Sequence, residues 1–181
     1  EDENQVIVPP VSTDTVPINI AKELKGHWGE AEITSLYKAG IVTGDANGLR
    51  LKDSISRAEF VALIVRALGL EISEYNNTFF DVDFKDWHAS YIATAYNAGL
   101  IGGSKGMFRP DDTITREEMC KIIACAVNID YESKQPVFKD ADSISSWALE
   151  YVNKAYSLGI INGMDDGTFA PKNNALREQA F

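Results

Sequence analysis

The chain has 181 residues, 45% of them hydrophobic and 24% charged, the proportions of an ordinary globular protein and not of a disordered, collagen-like or disulfide-dense one. Twenty-seven acidic against seventeen basic residues leave a net charge of −10. That balance argues against a general nucleic-acid binder, which needs basic groups to displace phosphate counterions. Apolar runs are only a few residues long, too short for a membrane-spanning helix.

Residues 1–20 contain Pro9, Pro10 and Pro17 and no aromatic residue, which predicts an extended linker or tail. The first residue is Glu1 and not Met, as in a processed chain or an excised segment from which any signal peptide is gone.

A repeat follows. Trp28, Trp87 and Trp147 stand 59 and 60 residues apart. Nine positions after each comes a tyrosine (Tyr37, Tyr96, Tyr156), twelve after each a glycine (Gly40, Gly99, Gly159), and sixteen after each another glycine (Gly44, Gly103, Gly163). An apolar pair precedes the second glycine: Ile41-Val42, Leu100-Ile101 and Ile160-Ile161. Three related units follow from this register, over residues 21–75, 76–135 and 136–181.

Each unit reads as helix, long loop, helix. In the first unit Ile33, Leu36 and Tyr37 fall on one helical face, and Gly40 sits where a left-handed helix cap is expected. The second helix opens with an S/T-x-x-E capping box in Ser56-Arg57-Ala58-Glu59 and in Thr115-Arg116-Glu117-Glu118. Phe60, Ile64 and Leu68 continue the first of these helices, and Met119, Ile122 and Ile123 the second. The connecting loop, about sixteen residues long, is of a length usually tied to function. Its Phe108-Arg109-Pro110 and Phe169-Ala170-Pro171 predict a loop tethered to the helices. The third unit stops at Phe181, and Leu176 replaces the capping Ser or Thr. Its second helix is therefore expected to be absent or reduced to a turn, with apolar surface exposed where a shared core lacks that helix.

The ordered motifs resemble the S-layer homology family. Phe79-Phe80-Asp81 and Phe138-Lys139-Asp140 match its F-x-D start. Lys38-Ala39-Gly40-Ile41-Val42-Thr43-Gly44 and Asn97-Ala98-Gly99-Leu100-Ile101-Gly102-Gly103 match its A-G-[IL]-x-x-G turn. Asp166-Gly167-Thr168-Phe169-Ala170-Pro171 matches its loop, and Ile55-Ser56-Arg57-Ala58-Glu59 and Ile114-Thr115-Arg116-Glu117-Glu118 match its helix start. The resemblance covers residues 21–181. It implies an all-α fold, three helix–loop–helix repeats forming a pseudo-threefold spindle around a central helical bundle. It also implies a cell-wall or S-layer location outside the bacterial cell and non-covalent anchoring to an acidic, commonly pyruvylated, secondary cell wall polymer in grooves between repeats. In such a groove the arginine of one helix start would face the aspartate and tryptophan of the next unit. The first unit departs from the pattern, with Ala21-Lys22-Glu23 in place of F-x-D.

The candidate ligand residues follow. Arg57, Arg116 and Arg177 place a cation at the positive end of a helix dipole, a choice costing from a few tenths to ~1 kcal/mol. The compensation is either an anionic ligand or a buried carboxylate such as Glu59 or Asp81. The residues alone leave these level, and the resemblance favours the ligand. Trp28, Trp87 and Trp147 are expected to anchor the core with partial exposure in the groove. Asp81 and Asp140 either accept hydrogen bonds from a sugar or cap the first helix. Gly44, Gly103 and Gly163 serve backbone geometry first and close ligand approach second.

Cys120 and Cys125 are expected to be buried apolar fillers, too far apart along a helix for a disulfide. His27 and His88 share no register and read as exposed polar residues, not metal ligands. Asp45-Ala46-Asn47-Gly48 and Asp165-Asp166-Gly167 lack the full calcium-loop spacing and read as turns. No catalytic motif or cofactor loop is present, so the chain is expected not to be an enzyme. The alternative function is a protein–protein or self-association module using surface left by the short third unit; a dockerin-like calcium module ranks below it.

Overall fold

A computed structural model describes residues 15–181; the expected linker over residues 1–14 lies outside the described residues. Among the described residues the secondary structure is seven α-helices, one 3-10 turn and isolated bridges, with no sheet. The chain is therefore all-α. It divides into two compact units, the first ending at Leu51 and the second spanning Lys52–Ala180.

In the first unit α1 spans Ile18–Leu24 and α2 spans Glu30–Lys38. Pro17 precedes α1 with φ −55°, a value that suits a helix entry. The last residues of the stretch expected to be extended are thus helical. Ile20 and Leu24, one turn apart, are buried, as is Ile33 on α2. The missing F-x-D start is rebuilt from other residues. Ile20, 59 positions before Phe79, lies against Gly44, where an added Cβ would come within 2.9 Å of the isoleucine Cδ1. The Glu23 carboxylate accepts from the backbone N–H of Leu49 (2.6 Å) and of Leu51 (2.8 Å).

The second unit contains α3 (Arg57–Ala67), α4 (Ala89–Asn97), α5 (Arg116–Ala126), a 3-10 turn (Ala141–Ser143), α6 (Leu149–Ser157) and the single-turn α7 (Arg177–Ala180). Helix α3 packs on α4, α5 packs on α6, and α3 touches α5. Both capping boxes form in full, with the Ser56 and Thr115 hydroxyls accepting from the backbone N–H of the third helical residue, Glu59 or Glu118, whose side chain reaches back to the cap N–H. In α7 only the returning half survives, from Leu176 N–H to Gln179 Oε1 at 3.1 Å, because a leucine has no hydroxyl. The left-handed caps appear as expected, with φ of +72°, +72° and +71° at Gly40, Gly99 and Gly159. Of the residues expected on the α3 core face, Phe60 is fully buried, but Leu68 ends the helix and is exposed; Val61 and Val65 take its place.

The three helix starts are laced together within this unit. Ile55 N–H donates to Ala175 O, Ala175 N–H to Ile114 O, and Ile114 N–H back to Ile55 O. A second tier closes the cycle in the opposite sense, from Arg57 N–H to Asp112 O, Arg116 N–H to Asn173 O and Arg177 N–H to Asp53 O. Helix N-termini leave their first N–H groups without partners inside the helix. Here each start satisfies those donors with the carbonyls of the loop before another start. That closed exchange is a threefold ring. The aromatic tethers Phe108 and Phe169 are fully buried, as is Leu49, which occupies the equivalent place in the first unit.

Candidate functional site

The arginines at the helix starts are buried, with 8%, 7% and 6% of Arg57, Arg116 and Arg177 exposed. Arg57 Nε donates to Phe108 O at 2.9 Å, and its guanidinium lies 4.9 Å from the centre of the Phe108 ring. Arg116 repeats this with Phe169, at 2.8 Å and 5.2 Å. Burial draws the pKa of both guanidinium groups down from the ordinary arginine value, because removing a cation from water disfavours its charged form.

The partners that compensate this charge differ from one arginine to the next, and of the two carboxylates expected only Glu59 serves, at an arginine of another repeat. Arg57 pairs with Glu118 Oε1 at 3.0 Å, not with Glu59 or Asp81. Glu59 instead pairs with Arg177 at 2.7 Å. Each capping-box glutamate thus neutralises the arginine of a different repeat. Gln179 stands at the corresponding place for Arg116. Among the described residues Arg116 makes no carboxylate pair; its second bond is a 3.5 Å contact from Nη2 to Asn162 O.

Asp81 and Asp140 do not cap the first helix of their repeats. Both oxygens of Asp81 accept backbone N–H groups, from Phe108 (2.8 Å) and Arg109 (2.6 Å). Asp140 does the same for Phe169 (2.7 Å) and Ala170 (2.8 Å). Arg109 and Ala170 have φ of +62° and +55°, a left-handed conformation that costs a non-glycine residue of order 1 kcal/mol or more. The carboxylate clamp holds the loop in that conformation, and at position 109 it sets an arginine on the rim of a groove.

That groove, a cavity of about 200 Å³, lies wholly in the second unit. Its charged lining is Arg57, Arg109, Glu118 and Lys121, joined by the Gly102-Gly103 turn and Trp147. The groove therefore draws on three repeats, not on the two neighbouring ones that the resemblance implied. Glu118 Oε1 is shared, 3.0 Å from Arg57 Nη1 and 3.1 Å from Arg109 Nη2. Burial pushes the Glu118 carboxyl pKa up, but the Thr115 N–H and hydroxyl together with Arg57 and Arg109 outweigh it and hold the value below the ordinary glutamate range. Arg109 also sits 3.5 Å from Asp112. Lys121 lies over two rings, 5.8 Å from the centre of Trp147 and 6.0 Å from that of Tyr151.

Of the sequence candidates, Arg57, Gly103 and Trp147 meet in this groove. Trp28 and Gly44 belong to the first unit, and Arg116, Arg177, Trp87, Asp140 and Gly163 lie elsewhere in the second. The tryptophans are not core anchors: Trp28, Trp87 and Trp147 are 73%, 58% and 46% exposed. Gly103 is required by packing, since a Cβ there would come 2.4 Å from Phe79 Cε1 and 2.7 Å from Met107 O. Arg109 and Lys121 went unnoticed in the sequence. Their signals are the variable residue of Phe-x-Pro and a lysine at the position held by Ala62 in α3.

The remaining expectations divide. Both cysteines are free; Cys120 is buried, its thiol pKa pushed up to about 12 by burial, whereas Cys125 is only half-buried and not a full core residue. His88 is buried and not exposed, its ring packed against Trp87 with no hydrogen-bond partner at Nδ1. His27 Nδ1 accepts from Gly29 N–H. The two acidic loops are turns closed by their own side chains, from Asn47 N–H to Asp45 and from Thr168 N–H to Asp166.

The model of the S-layer homology domain family matches residues 24–61, 78–120 and 137–181. The chain is 38% identical over 164 residues, 87% of its length, to an amylopullulanase of Thermoanaerobacterium thermosulfurigenes, of which it covers 9%. It is 38% identical over 164 residues to exoglucanase XynX of Acetivibrio thermocellus, covering 87% of the chain and 15% of that enzyme. It is 34% identical over 161 residues to the surface-layer 125 kDa protein of Lysinibacillus sphaericus, covering 88% of the chain and 13% of that protein. The chain thus spans less than a fifth of the length of these relatives. With 87–88% of the chain matched each time, the stretch shared with the two enzymes is largely the one shared with the surface-layer protein, so the enzyme names carry no argument for hydrolysis by this chain.

Proposed function

The chain belongs to the S-layer homology family, whose repeats anchor proteins at the bacterial cell wall, and we propose that it does so by binding an acidic, pyruvylated secondary cell wall polysaccharide in the groove between Arg57, Arg109, Lys121 and Trp147. The carrying observation is the composition of that groove. Three cations and one carboxylate line it, in a molecule whose net charge is −10. A local excess of positive charge in a low-dielectric cleft attracts an anion that the molecule as a whole repels. A half-exposed indole on the same wall offers the amphipathic ring that suits a sugar face.

Arg116 supplies a second place for the same chemistry, because no capping-box glutamate neutralises it. Two modest sites on one repeating polymer raise avidity well beyond that of either alone.

Calorimetric titration of the chain with wall polysaccharide, native and chemically depyruvylated, tests the proposal. Binding is expected with the native polymer and a large loss on depyruvylation, and Trp147→Ala is expected to weaken binding without lowering helix content. Equal binding of both polymers would refute the acidic-ligand reading. A stable oligomer indifferent to either polymer would replace it with self-association.

A further inference from the structure

We propose that Lys121, and not the buried arginine of the helix start, receives the ligand's carboxylate in this groove and so determines its preference for an acidic sugar. The inference rests on the groove reading above and adds the identity of the anion-holding group.

The other two cations are already occupied. Arg57 uses Nε on Phe108 O and Nη1 on Glu118 Oε1. Arg109 uses Nη2 on the same oxygen and faces Asp112 with Nη1. An incoming carboxylate at either arginine would meet Glu118 a bond length away from its target, and like charges at that distance repel. Removing Glu118 from the arginines would also cost the capping box, in which Glu118 Oε2 accepts from Thr115 N–H and hydroxyl.

Lys121 has none of these commitments. Among the described residues it forms no ion pair; its ammonium rests over the Trp147 and Tyr151 rings. A partly exposed cation–π contact is worth about 0.5–1 kcal/mol, less than a charge-assisted hydrogen bond to a carboxylate. The four-carbon stem lets the ammonium swing from the ring to a neighbouring anion, which would uncover the indole face as the anion is gripped. Lys121 lies in the second turn of α5, on the groove wall. The equivalent place in α3 is Ala62, so the lysine belongs to this repeat and not to the helix-start motif.

The test compares Lys121→Ala, which copies the residue of α3, with Lys121→Arg. Each is titrated with native pyruvylated wall polysaccharide at 50 and 200 mM salt. Lys121→Ala is expected to weaken binding about tenfold at the lower salt and to flatten the dependence of log affinity on log salt. Lys121→Arg is expected to stay within about threefold of the unsubstituted chain. Both variants are expected to melt with it, since no backbone group depends on this side chain. If the unsubstituted chain binds and Lys121→Ala binds equally well with the same salt dependence, the assignment of Lys121 falls while the groove reading stands. If the unsubstituted chain does not bind the polymer, the groove reading itself falls.

Discussion

Replacing Asp81 by alanine separates a structural carboxylate from a ligand contact. The substitution removes the acceptor of two backbone N–H groups, Phe108 at 2.8 Å and Arg109 at 2.6 Å. Hydrogen bonds to a charged acceptor contribute about 1.5–3 kcal/mol each. Two of them give roughly 3–6 kcal/mol, and the lower end applies because the carboxylate is only half-buried and water can re-enter at Arg109. The Arg109 left-handed conformation, φ +62°, then loses its clamp, and the loop relaxes away from the groove rim. A loss of about 3 kcal/mol lowers the melting temperature by roughly 6–12 °C for a protein of this size. Calorimetry measures the melt, and polymer titration well below it measures binding. The expected result is a clearly lowered melt with a smaller loss of affinity. An unchanged melt with binding abolished would refute the clamp and return Asp81 to the ligand.

Two further substitutions probe neighbouring claims. Gly103→Ala drives a methyl to 2.4 Å from the Phe79 ring and 2.7 Å from a carbonyl oxygen, whereas Gly102→Ala meets nothing within 4 Å. The first is expected to destabilise by about 1–3 kcal/mol and the second by less than about 0.5 kcal/mol, read as paired thermal melts. Gln179→Glu places a carboxylate where Glu59 and Glu118 stand in the other repeats. It is expected to raise the melting temperature by a few degrees in the absence of polymer, by neutralising the buried Arg116, and to weaken polymer binding; a lowered melt would show that Gln179 does not occupy the equivalent place.

The repeat register was enough to place the starts of α3 and α5 with both full capping boxes, and the left-handed glycine caps at Gly40, Gly99 and Gly159; α1 and the left-handed Gly26 and Gly69 lay outside it. The features it placed follow from short-range rules: a hydroxyl three residues before a glutamate closes on a helix start, and a glycine at the end of a helix takes positive φ without cost. The Phe-x-Pro loops were legible for the same reason, as an apolar ring in a polar stretch has to be buried. Lys121 and Arg109 were not legible as site residues, since nothing local marks a lysine on a helix or an arginine between a phenylalanine and a proline. The departure in the first unit was visible as a mismatch, but its repair by Ile20 and Glu23 was not, because the compensating carboxylate comes from one residue further along and one methylene longer.

Tertiary structure decided the pairing of charges. Three arginines and two capping glutamates in matching positions suggest three equivalent sites, and within each motif the capping glutamate stands only two positions from the arginine. The folded unit instead sends Arg57 to Glu118 and Arg177 to Glu59, across 61 and 118 positions of sequence, because the closed ring of helix starts brings each arginine against the next start and not against its own. The same ring carries a tryptophan of the third repeat to a groove that opens on an arginine of the first. Distances along the chain fix which residues share a helix face; only the closure of the ring fixes which cation is left with no carboxylate of its own to hold.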